Sequence, residues 1–266
     1  MSKVILITGA SSGIGKAIGD FLCTKDFKVY GTSRNPSKYL DSKFQLFDLD
    51  VNNADSIKLC IDKIIKIEGV LDVLINNAGV CITGPLEEIP EIEIKNNFNT
   101  NFFGPLNIIK KVLPLMRSKK RGLIINITSL AAYVGTPYRS VYSASKAALD
   151  LVSETLNMET KPFNIKVVTL APGEFSTNIA SRRYHASSEK NSPYHLNYSK
   201  ALTLMNNHVS GGADPKLIAK LIFKIINSKN YESVKRCFTK EFKPYIIGKI
   251  SKGKNKVKLN GSINWI

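Results

Sequence analysis

Cysteine is scarce in this chain, and the four present (Cys23, Cys60, Cys81 and Cys237) lie far apart with no C-x-x-C pair. Without that spacing, neither a zinc site nor a disulfide framework is expected. The three histidines are also too widely spaced for a compact site, so we predict no bound metal. Such cysteine usage is typical of a protein of the reducing cytoplasm.

Long apolar runs are also missing, and no stretch approaches the roughly eighteen residues of a membrane-spanning helix. The first apolar run, V-I-L-I at residues 4–7, is too short for a signal-peptide core and leads directly into glycine. With 266 residues, 43% of them hydrophobic, the chain suits one doubly wound α/β domain.

Acidic residues are few, 21 against 38 Lys and Arg, which gives a formal net charge of +17. Taken alone, this charge favours nucleic acid or an anionic membrane surface as a partner. The excess is mostly lysine spread along the chain, so we predict no nucleic-acid partner. Residues 235–258 are the exception, with nine basic residues and one Glu. We expect a solvated basic tail over residues 249–266, and contact with phosphates or anionic lipid is the alternative.

A glycine-rich turn follows the first predicted strand. Residues 3–7 (K-V-I-L-I) have the short, branched pattern of a buried parallel strand, and T-G-A-S-S-G-I-G comes next. Gly9 permits a tight turn, Gly13 lets the backbone approach a pyrophosphate, and Gly15 allows the next helix to pack closely. That helix, beginning near Ile14, would direct its N-terminal amides at the phosphates.

The segment from Asn126 to Lys146 holds the residues that can perform chemistry. Tyr142 and Lys146 are four residues apart in a run of helix formers, so both side chains lie on one helix face. For a tyrosine to exchange protons near neutrality, its pKa has to fall by roughly 3, worth about 4 kcal/mol. One ammonium about 4 Å away supplies roughly that amount. Ser129 ends an apolar run, L-I-I-N-I-T-S, and would sit at a strand's carboxyl end.

In a chain this rich in Tyr and Lys, a Y-x-x-x-K sequence is expected about once by chance. It therefore indicates an active site only in combination with other motifs. N-N-A-G at 76–79 and P-G-E-F-S-T at 172–177 accompany the glycine turn, Ser129 and the Tyr-Lys pair in a fixed order. Over roughly residues 3–180 the chain resembles the short-chain dehydrogenase/reductase family. A more diffuse similarity, in the C-terminal part and residues 178–212, is to the hydroxysteroid and retinol dehydrogenase-like branch.

The resemblance implies one Rossmann-type catalytic domain over residues 1–248, with a doubly wound parallel sheet of about seven strands and helices on both faces. The irregular, polar residues 178–212 would form a mobile substrate lid. One long helix, bent near Pro105 and Pro114, is predicted from Glu91 to Met116. The family is often dimeric or tetrameric, so a homodimer or homotetramer is expected.

The second predicted strand ends where a dinucleotide site meets the adenosine ribose, and Ser33 and Arg34 lie there instead of an acidic residue. An acid would repel a 2′-phosphate, whereas arginine binds one. This favours NADP(H) over NAD(H), in line with the family pattern. The resemblance also assigns Asp50 to the adenine amino group, with Asp48 as the alternative.

Further cofactor contacts are implied by the resemblance at the glycine turn, at N-N-A-G and at the P-G stretch, where Thr177 would bind the carboxamide or the pyrophosphate. Asn101 would help to hold a water near the active lysine. The cofactor-binding residues predicted in addition to those above are Ser11, Ser12, Val51, Asn77, Ala78, Gly79, Pro172 and Gly173.

The function implied is NADP(H)-dependent interconversion of a carbonyl and a secondary alcohol on a hydrophobic small molecule, with Tyr142 as general acid and base. Ser129 would stabilise the substrate oxygen, and Lys146 would lower the pKa of Tyr142. The alternatives are a non-catalytic NADP-binding regulator on the same fold, and a lyase or epimerase on the related nucleotide-sugar scaffold. The latter usually has a longer substrate region and a different glycine spacing.

Overall fold

The computed structural model describes residues 2–177, 183–186, 190–210, 212–228, 237–238 and 264–265. Six parallel strands of four to seven residues form the main sheet: β1 (Lys3–Ile7), β2 (Phe27–Ser33), β3 (Gln45–Asp48), β4 (Val73–Asn76), β6 (Gly122–Ile127) and β7 (Ile165–Leu170). β5 (Ile82–Thr83) and β8 (Tyr184–His185) pair in a separate small sheet. β9 (Cys237–Phe238) and β10 (Asn264–Trp265) extend the main sheet.

The main sheet runs in the order β3-β2-β1-β4-β6-β7-β9-β10, so the strand order reverses between β1 and β4. This confirms the predicted doubly wound parallel sheet. The sheet has eight strands among the described residues rather than about seven, because two two-residue strands lie at its C-terminal edge. A crevice at the carboxyl ends of the strands, at such a reversal, is where α/β proteins bind ligands.

Seven α-helices connect or cover the strands in the described part of the chain: α1 (Gly13–Leu22), α2 (Ala54–Glu68), α3 (Glu91–Phe98), α4 (Gly104–Ser118), α5 (Ser140–Thr160), α6 (His195–Ser210) and α7 (Lys216–Asn227). The apolar spacing of Ile57, Cys60, Ile61, Ile64 and Ile65 predicts a helix over residues 54–68, and α2 has these bounds. Asn53 caps its first turn by accepting from the Ser56 amide, and Gly69, at φ 71°, ends it. A left-handed residue after the last turn is a common helix stop that glycine adopts without strain.

Hydrophobic layers cover both faces of the sheet because successive strand residues point to opposite sides. Ile5 and Ile7 of β1 pack with α1 and α7, whereas Val4 and Leu6 pack with α2 and α4. All four side chains are at most 2% exposed. This burial on both faces explains why the strands are continuous apolar runs rather than alternating ones.

The helix predicted from Glu91 to Met116 is wrong in detail, because it is interrupted by a π-helical turn at Asn99–Phe103 before it continues to Ser118. Such turns are often found at functional sites. Pro105 follows directly in the first turn of α4, and because proline has no backbone N–H it cannot donate to the turn before it.

The expectation of an irregular segment over residues 178–212 fails at residues 195–210, which form α6. Its apolar positions do not follow one clear stripe, so periodicity in the sequence did not reveal it. Tyr198 anchors the helix: it is 1% exposed, and its hydroxyl donates to the Thr83 carbonyl at 3.0 Å. Most of the predicted basic tail, residues 249–266, lies outside the described residues.

Candidate active site

A cavity of about 1030 Å³ lies along the carboxyl ends of the central strands. Its wall brings together every predicted site residue except Gly15 and Asn101. The predicted residues that line it are Gly9, Ser11, Ser12, Gly13, Ile14, Ser33, Arg34, Asp50, Val51, Asn77, Ala78, Gly79, Ser129, Tyr142, Lys146, Pro172, Gly173 and Thr177. Segments far apart in the sequence, from Gly9 to Thr177, therefore share one site.

The glycine turn between β1 and α1 has the left-handed backbone that its sequence predicts, with φ of 62° at Gly9 and 55° at Gly13. A Cβ on Gly9 would lie 2.9 Å from the Ala78 Cα, and one on Gly13 would lie 3.5 Å from Thr177. Gly15 does not line the cavity, because it faces the turn itself. A Cβ there would meet the Asn77 Nδ2 at 2.4 Å and the Gly9 oxygen at 2.5 Å. Gly15 therefore allows α1 to pack closely on the turn and does not line the cavity.

The N-N-A-G segment is tied to the glycine turn by hydrogen bonds. The Asn77 side chain donates to the carbonyl oxygens of Thr8 at 2.9 Å and Gly9 at 3.1 Å, and the Ala78 amide donates to the Thr8 hydroxyl at 3.0 Å. These bonds join the ends of β1 and β4, the two strands between which the sheet order reverses. They fix the floor of the cavity.

One end of the cavity is basic. Arg34 lines it together with Lys38, and Ser33 holds the connecting turn by accepting from the Asn35 amide at 3.2 Å. Asp50 lines the cavity, whereas Asp48 is exposed and does not. Sequence reasoning missed Lys38, whose only signal was a second base four residues after Arg34.

Ser129, Tyr142 and Lys146 meet on the wall of the cavity. Ser129 follows β6 by two residues, and its hydroxyl accepts from the Ala131 amide at 3.2 Å and is hydrogen-bonded to Tyr142. Tyr142 and Lys146 lie one turn apart on α5. The Lys146 ammonium donates to the Ile127 carbonyl at 3.0 Å, at the end of β6.

The protonation of this group differs from the sequence prediction. Burial raises the pKa of Tyr142 above the ordinary phenol value, and the hydrogen bond from Ser129 opposes that rise without overcoming it. Burial also lowers the pKa of Lys146 to about 8. The pKa of Tyr142 is therefore raised overall, and the prediction that Lys146 lowers it stays a prediction. That prediction considered only the distance between the ammonium and the phenol. It left out the free-energy cost of burying a phenolate, which raises the pKa.

Asn101 lies behind the cavity wall, in the π-helical turn, and is fully buried. Its side-chain oxygen accepts from the Val80 amide at 2.9 Å, and its nitrogen donates to the Val80 carbonyl at 2.9 Å and to the Ser145 hydroxyl at 3.1 Å. Only Gly79 separates it from Lys146: a Cβ on Gly79 would lie 3.1 Å from the Asn101 oxygen and 3.3 Å from the Lys146 nitrogen. These hydrogen bonds from Asn101 therefore hold the segment of Gly79 and Val80 in place beside Lys146.

The far end of the cavity contains residues that sequence reasoning missed. Arg139 and Glu174 form an ion pair at 3.3 Å, and α6 contributes Leu204 and Met205 to the wall. Cys81 lines the same region as a buried thiol whose pKa is raised, chiefly by burial. Of these residues only Glu174 lies in a motif noted above, P-G-E-F-S-T, and the others come from separate elements that meet only in the folded chain.

Two kinds of feature are absent from the described part of the chain. No helix there is long and apolar enough to cross a membrane. No group of three or more His, Cys, Asp or Glu side chains in the described ranges could hold a metal ion.

A parallel sheet that reverses its order beside a glycine turn, with a large cavity at the carboxyl ends of its strands, defines a Rossmann-type nucleotide-binding protein. The family model described as short chain dehydrogenase matches residues 3–188. The chain therefore belongs to the short-chain dehydrogenase/reductase family and is an oxidoreductase of that family. The resemblance deduced from its motifs is confirmed.

Two curated relatives match most of the chain. It is 42% identical over 229 residues to the 3-ketodihydrosphingosine reductase of Bacteroides thetaiotaomicron, covering 86% of this chain and 85% of the relative. It is 32% identical over 246 residues to human retinol dehydrogenase 8, covering 85% and 78%. The second match agrees with the predicted retinol dehydrogenase-like branch.

Solved structures agree with the fold. A short-chain dehydrogenase from Streptomyces avermitilis superposes with a TM-score of 0.83 at 30% identity, covering 95% of this chain and 93% of that one. ElxO with NADP bound superposes with a TM-score of 0.71 at 27% identity, covering 89% and 96%. The family and the cavity together support a nicotinamide dinucleotide as the cofactor.

Proposed function

We propose that this protein uses NADP(H) to interconvert a carbonyl and a secondary alcohol on a hydrophobic small molecule. The observation that carries the proposal is the meeting of Ser129, Tyr142 and Lys146 on the wall of the cavity that begins at the glycine turn. A non-catalytic NADP-binding regulator has no need for these three side chains together. The direct test is oxidation of NADPH by the purified protein in the presence of a panel of steroid, retinoid, sugar and acyl ketones.

The residues present fit a dinucleotide. Gly13 has a φ of 55°, a backbone conformation that residues with a side chain rarely adopt, and it lies beside Thr177 at the turn that leads into α1. The N-terminal amides of α1 then face the position of the pyrophosphate. Pro172, Gly173 and Thr177 would bind the nicotinamide end, and Asp50 and Val51 the adenine end.

The choice of NADP(H) over NAD(H) rests on the basic end of the cavity. Arg34 can bind a 2′-phosphate through parallel N–H donors, and Lys38 adds a second positive charge beside it. Ser33 offers no carboxylate to repel that phosphate. The structural neighbour with NADP bound, ElxO, supports the same choice.

In the reductive direction, a bound nicotinamide dinucleotide would supply the hydride that carbonyl reduction needs. Tyr142 donates its proton to the carbonyl oxygen, and the phenol's raised pKa keeps that proton in place until the oxygen becomes negative. Ser129 donates to the same oxygen and stabilises its developing charge. One Lys146 donor is held by Ile127, which leaves the others to orient the cofactor ribose and to support the phenolate.

Asn101 acts as a positioning residue in this scheme. Its two hydrogen bonds to Val80 hold the strand-to-loop segment that carries Gly79 against Lys146. A water held by this segment would connect Lys146 to solvent and return a proton to Tyr142.

A hydrophobic substrate agrees with the wall of the far end, where Leu130, Val134, Leu204 and Met205 lie. Residues 178–212 would act as the substrate lid, with α6 as its described helical part. The names of the two curated relatives, a ketodihydrosphingosine reductase and a retinol dehydrogenase, support a substrate of this kind.

We also propose that the protein is a homodimer or homotetramer. Large apolar side chains are exposed on the outer faces of the long helices, including Phe103 beside α4 and Leu151 and Met158 on α5, at 49%, 65% and 65% exposure. Burying such side chains between copies is favourable. Sedimentation equilibrium should give twice or four times the 29.4 kDa chain mass, and a monomer at micromolar concentration would contradict this.

The Arg34→Ala variant should lose preference for NADPH. Hydrogen bonds to a charged phosphate contribute enough that KM for NADPH should rise roughly 10- to 100-fold, with KM for NADH little changed. Steady-state kinetics with each cofactor measures this ratio. Arg117→Ala, at an exposed arginine in the last turn of α4, is the matched control and should keep the wild-type ratio. Equal losses with both cofactors would contradict recognition of a 2′-phosphate.

A further inference from the structure

Arg183 is a buried cation of the cavity for which the mechanism above has no role. The residue lines the cavity and is 5% exposed. Its Nη1 contacts the Met205 sulfur at 3.9 Å, whereas its Nε and Nη2 have no hydrogen-bond partner. A buried guanidinium is costly unless it is paired and hydrogen-bonded. Two unpaired donors on one buried cation therefore indicate a place for a ligand.

The two unpaired atoms have a specific geometry. Nε and Nη2 share one edge of the planar guanidinium, and their N–H bonds point in parallel, which matches two oxygens of a carboxylate or a phosphate. Both atoms are shielded from water, so an acid group reaches them by displacing part of the wall. Met205 is suited to move, because its side chain is unbranched and flexible.

Arg183 lies at the substrate end of the cavity. The Tyr184 amide donates to the Cys81 carbonyl at 3.0 Å, which holds the Arg183 segment beside Cys81. Cys81 in turn is close enough to Tyr142 to influence its pKa. The glycine turn lies elsewhere, against Thr177. The guanidinium is thus placed for the substrate rather than for the pyrophosphate.

No acidic side chain of the described residues forms an ion pair with Arg183. The one carboxylate of the substrate end that lines the cavity, Glu174, is paired with Arg139 at 3.3 Å. Within the described part of the site, a negative charge for Arg183 has to come from the ligand.

We propose that the substrate is an amphipathic acid, a carbonyl compound with a carboxylate or phosphate group that binds Nε and Nη2 of Arg183. Its apolar part would lie against Ala201, Leu204 and Met205 of α6, which line the same end. This inference rests on the proposed function and narrows its substrate class.

The test compares carbonyl compounds that differ in charge. A series of oxodecanoates is measured against the corresponding methyl esters, and a long-chain hydroxyketone phosphate against the free hydroxyketone, so that the two arms distinguish carboxylate from phosphate. In the wild type, kcat/KM for at least one acid should exceed that for its neutral partner by about 10- to 100-fold. Arg183→Met should reduce this ratio to near 1 through KM for the acid, while KM for NADPH stays unchanged.

Two further variants sharpen the comparison. Arg183→Lys keeps the positive charge but loses the two parallel N–H donors. Its ratio of kcat/KM for the acid to kcat/KM for the neutral partner should therefore fall between those of the wild type and Arg183→Met. Lys200→Met removes an exposed cation from the same helix, α6, and should keep the wild-type ratio. Equal kcat/KM for acids and neutral partners in the wild type would overturn the inference, and this result needs no variant to fold.

The remaining outcomes separate the two proposals. An increased KM for NADPH in Arg183→Met, with the acid-to-neutral ratio unchanged, would assign Arg183 to the cofactor and overturn the inference. Reduction of neutral ketones only would leave the proposed function intact and remove the anion site. If no carbonyl compound is reduced, but decanoate raises the Tm of the wild type and not of Arg183→Met, the anion site stands and the proposed function fails.

Discussion

Replacing Tyr142 with phenylalanine is expected to lower kcat for NADPH-dependent carbonyl reduction by about 10³-fold, within the usual range for loss of a general acid. The substitution removes only the hydroxyl that hydrogen-bonds to Ser129. The ring still fills its place on α5, so the fold and NADPH affinity should change little. Single-turnover kinetics and NADPH fluorescence titration measure the two quantities separately.

Tyr30→Phe is the matched control for this experiment. Tyr30 is a buried tyrosine outside the cavity, and its hydroxyl donates to Glu68 at 2.5 Å. Its loss should lower the free energy of unfolding by about 1 kcal/mol and leave kcat unchanged. Wild-type reduction by Tyr142→Phe would show that another group protonates the substrate, and the proposed mechanism would be abandoned.

The parts of the fold that depend on local sequence could be predicted. β1 and α2 have the predicted bounds because a short branched run before glycine, and a helix pattern between Asn53 and Gly69, each determine their own structure. The glycine turn and the Tyr142–Lys146 spacing are also local. Both were therefore readable as site features before any contact between distant segments was known.

The features that depend on burial or on distant segments could not be predicted in this way. The π-helical turn forms where Asn101 bonds to Val80, twenty-one residues earlier in the chain. The protonation of Tyr142 and Lys146 is governed by desolvation, which a helix-face argument does not contain. Arg183 reaches the cavity only because the strand that follows it, β8, pairs with β5.

Lys146→Met should lower kcat/KM for carbonyl reduction by roughly 10²- to 10³-fold, because it removes a positive charge that supports the phenolate of Tyr142. The same change should have a distinctive effect on stability. Lys146 has a pKa of about 8 in the folded chain, below its ordinary value of 10.5, because burial disfavours the ammonium form. Between these values the unfolded chain holds a proton that the folded chain has released.

The sign of the pH dependence follows from that difference in bound protons. Stability rises with pH wherever the unfolded state binds more protons, so the penalty for burying Lys146 is complete below about pH 8 and is relieved as pH increases towards 10.5. From pH 8 to 9.5 the wild type should gain about 2 kcal/mol relative to Lys146→Met. The phenol and thiol groups of the unfolded chain also titrate in this range, but both proteins contain them, so their effect cancels in the difference.

Urea unfolding of both proteins at several pH values measures this gain, and the loss of the bond to Ile127 does not disturb it. That loss is nearly independent of pH, so it shifts the curve for Lys146→Met without changing its slope. Lys66→Met, at an exposed lysine of α2, should show no such divergence from the wild type. A constant difference between Lys146→Met and the wild type across the window would mean that Lys146 keeps its proton in the folded chain. Other contacts would then offset the free-energy cost of burying the Lys146 ammonium. The positive charge beside Tyr142 would in that case persist at high pH.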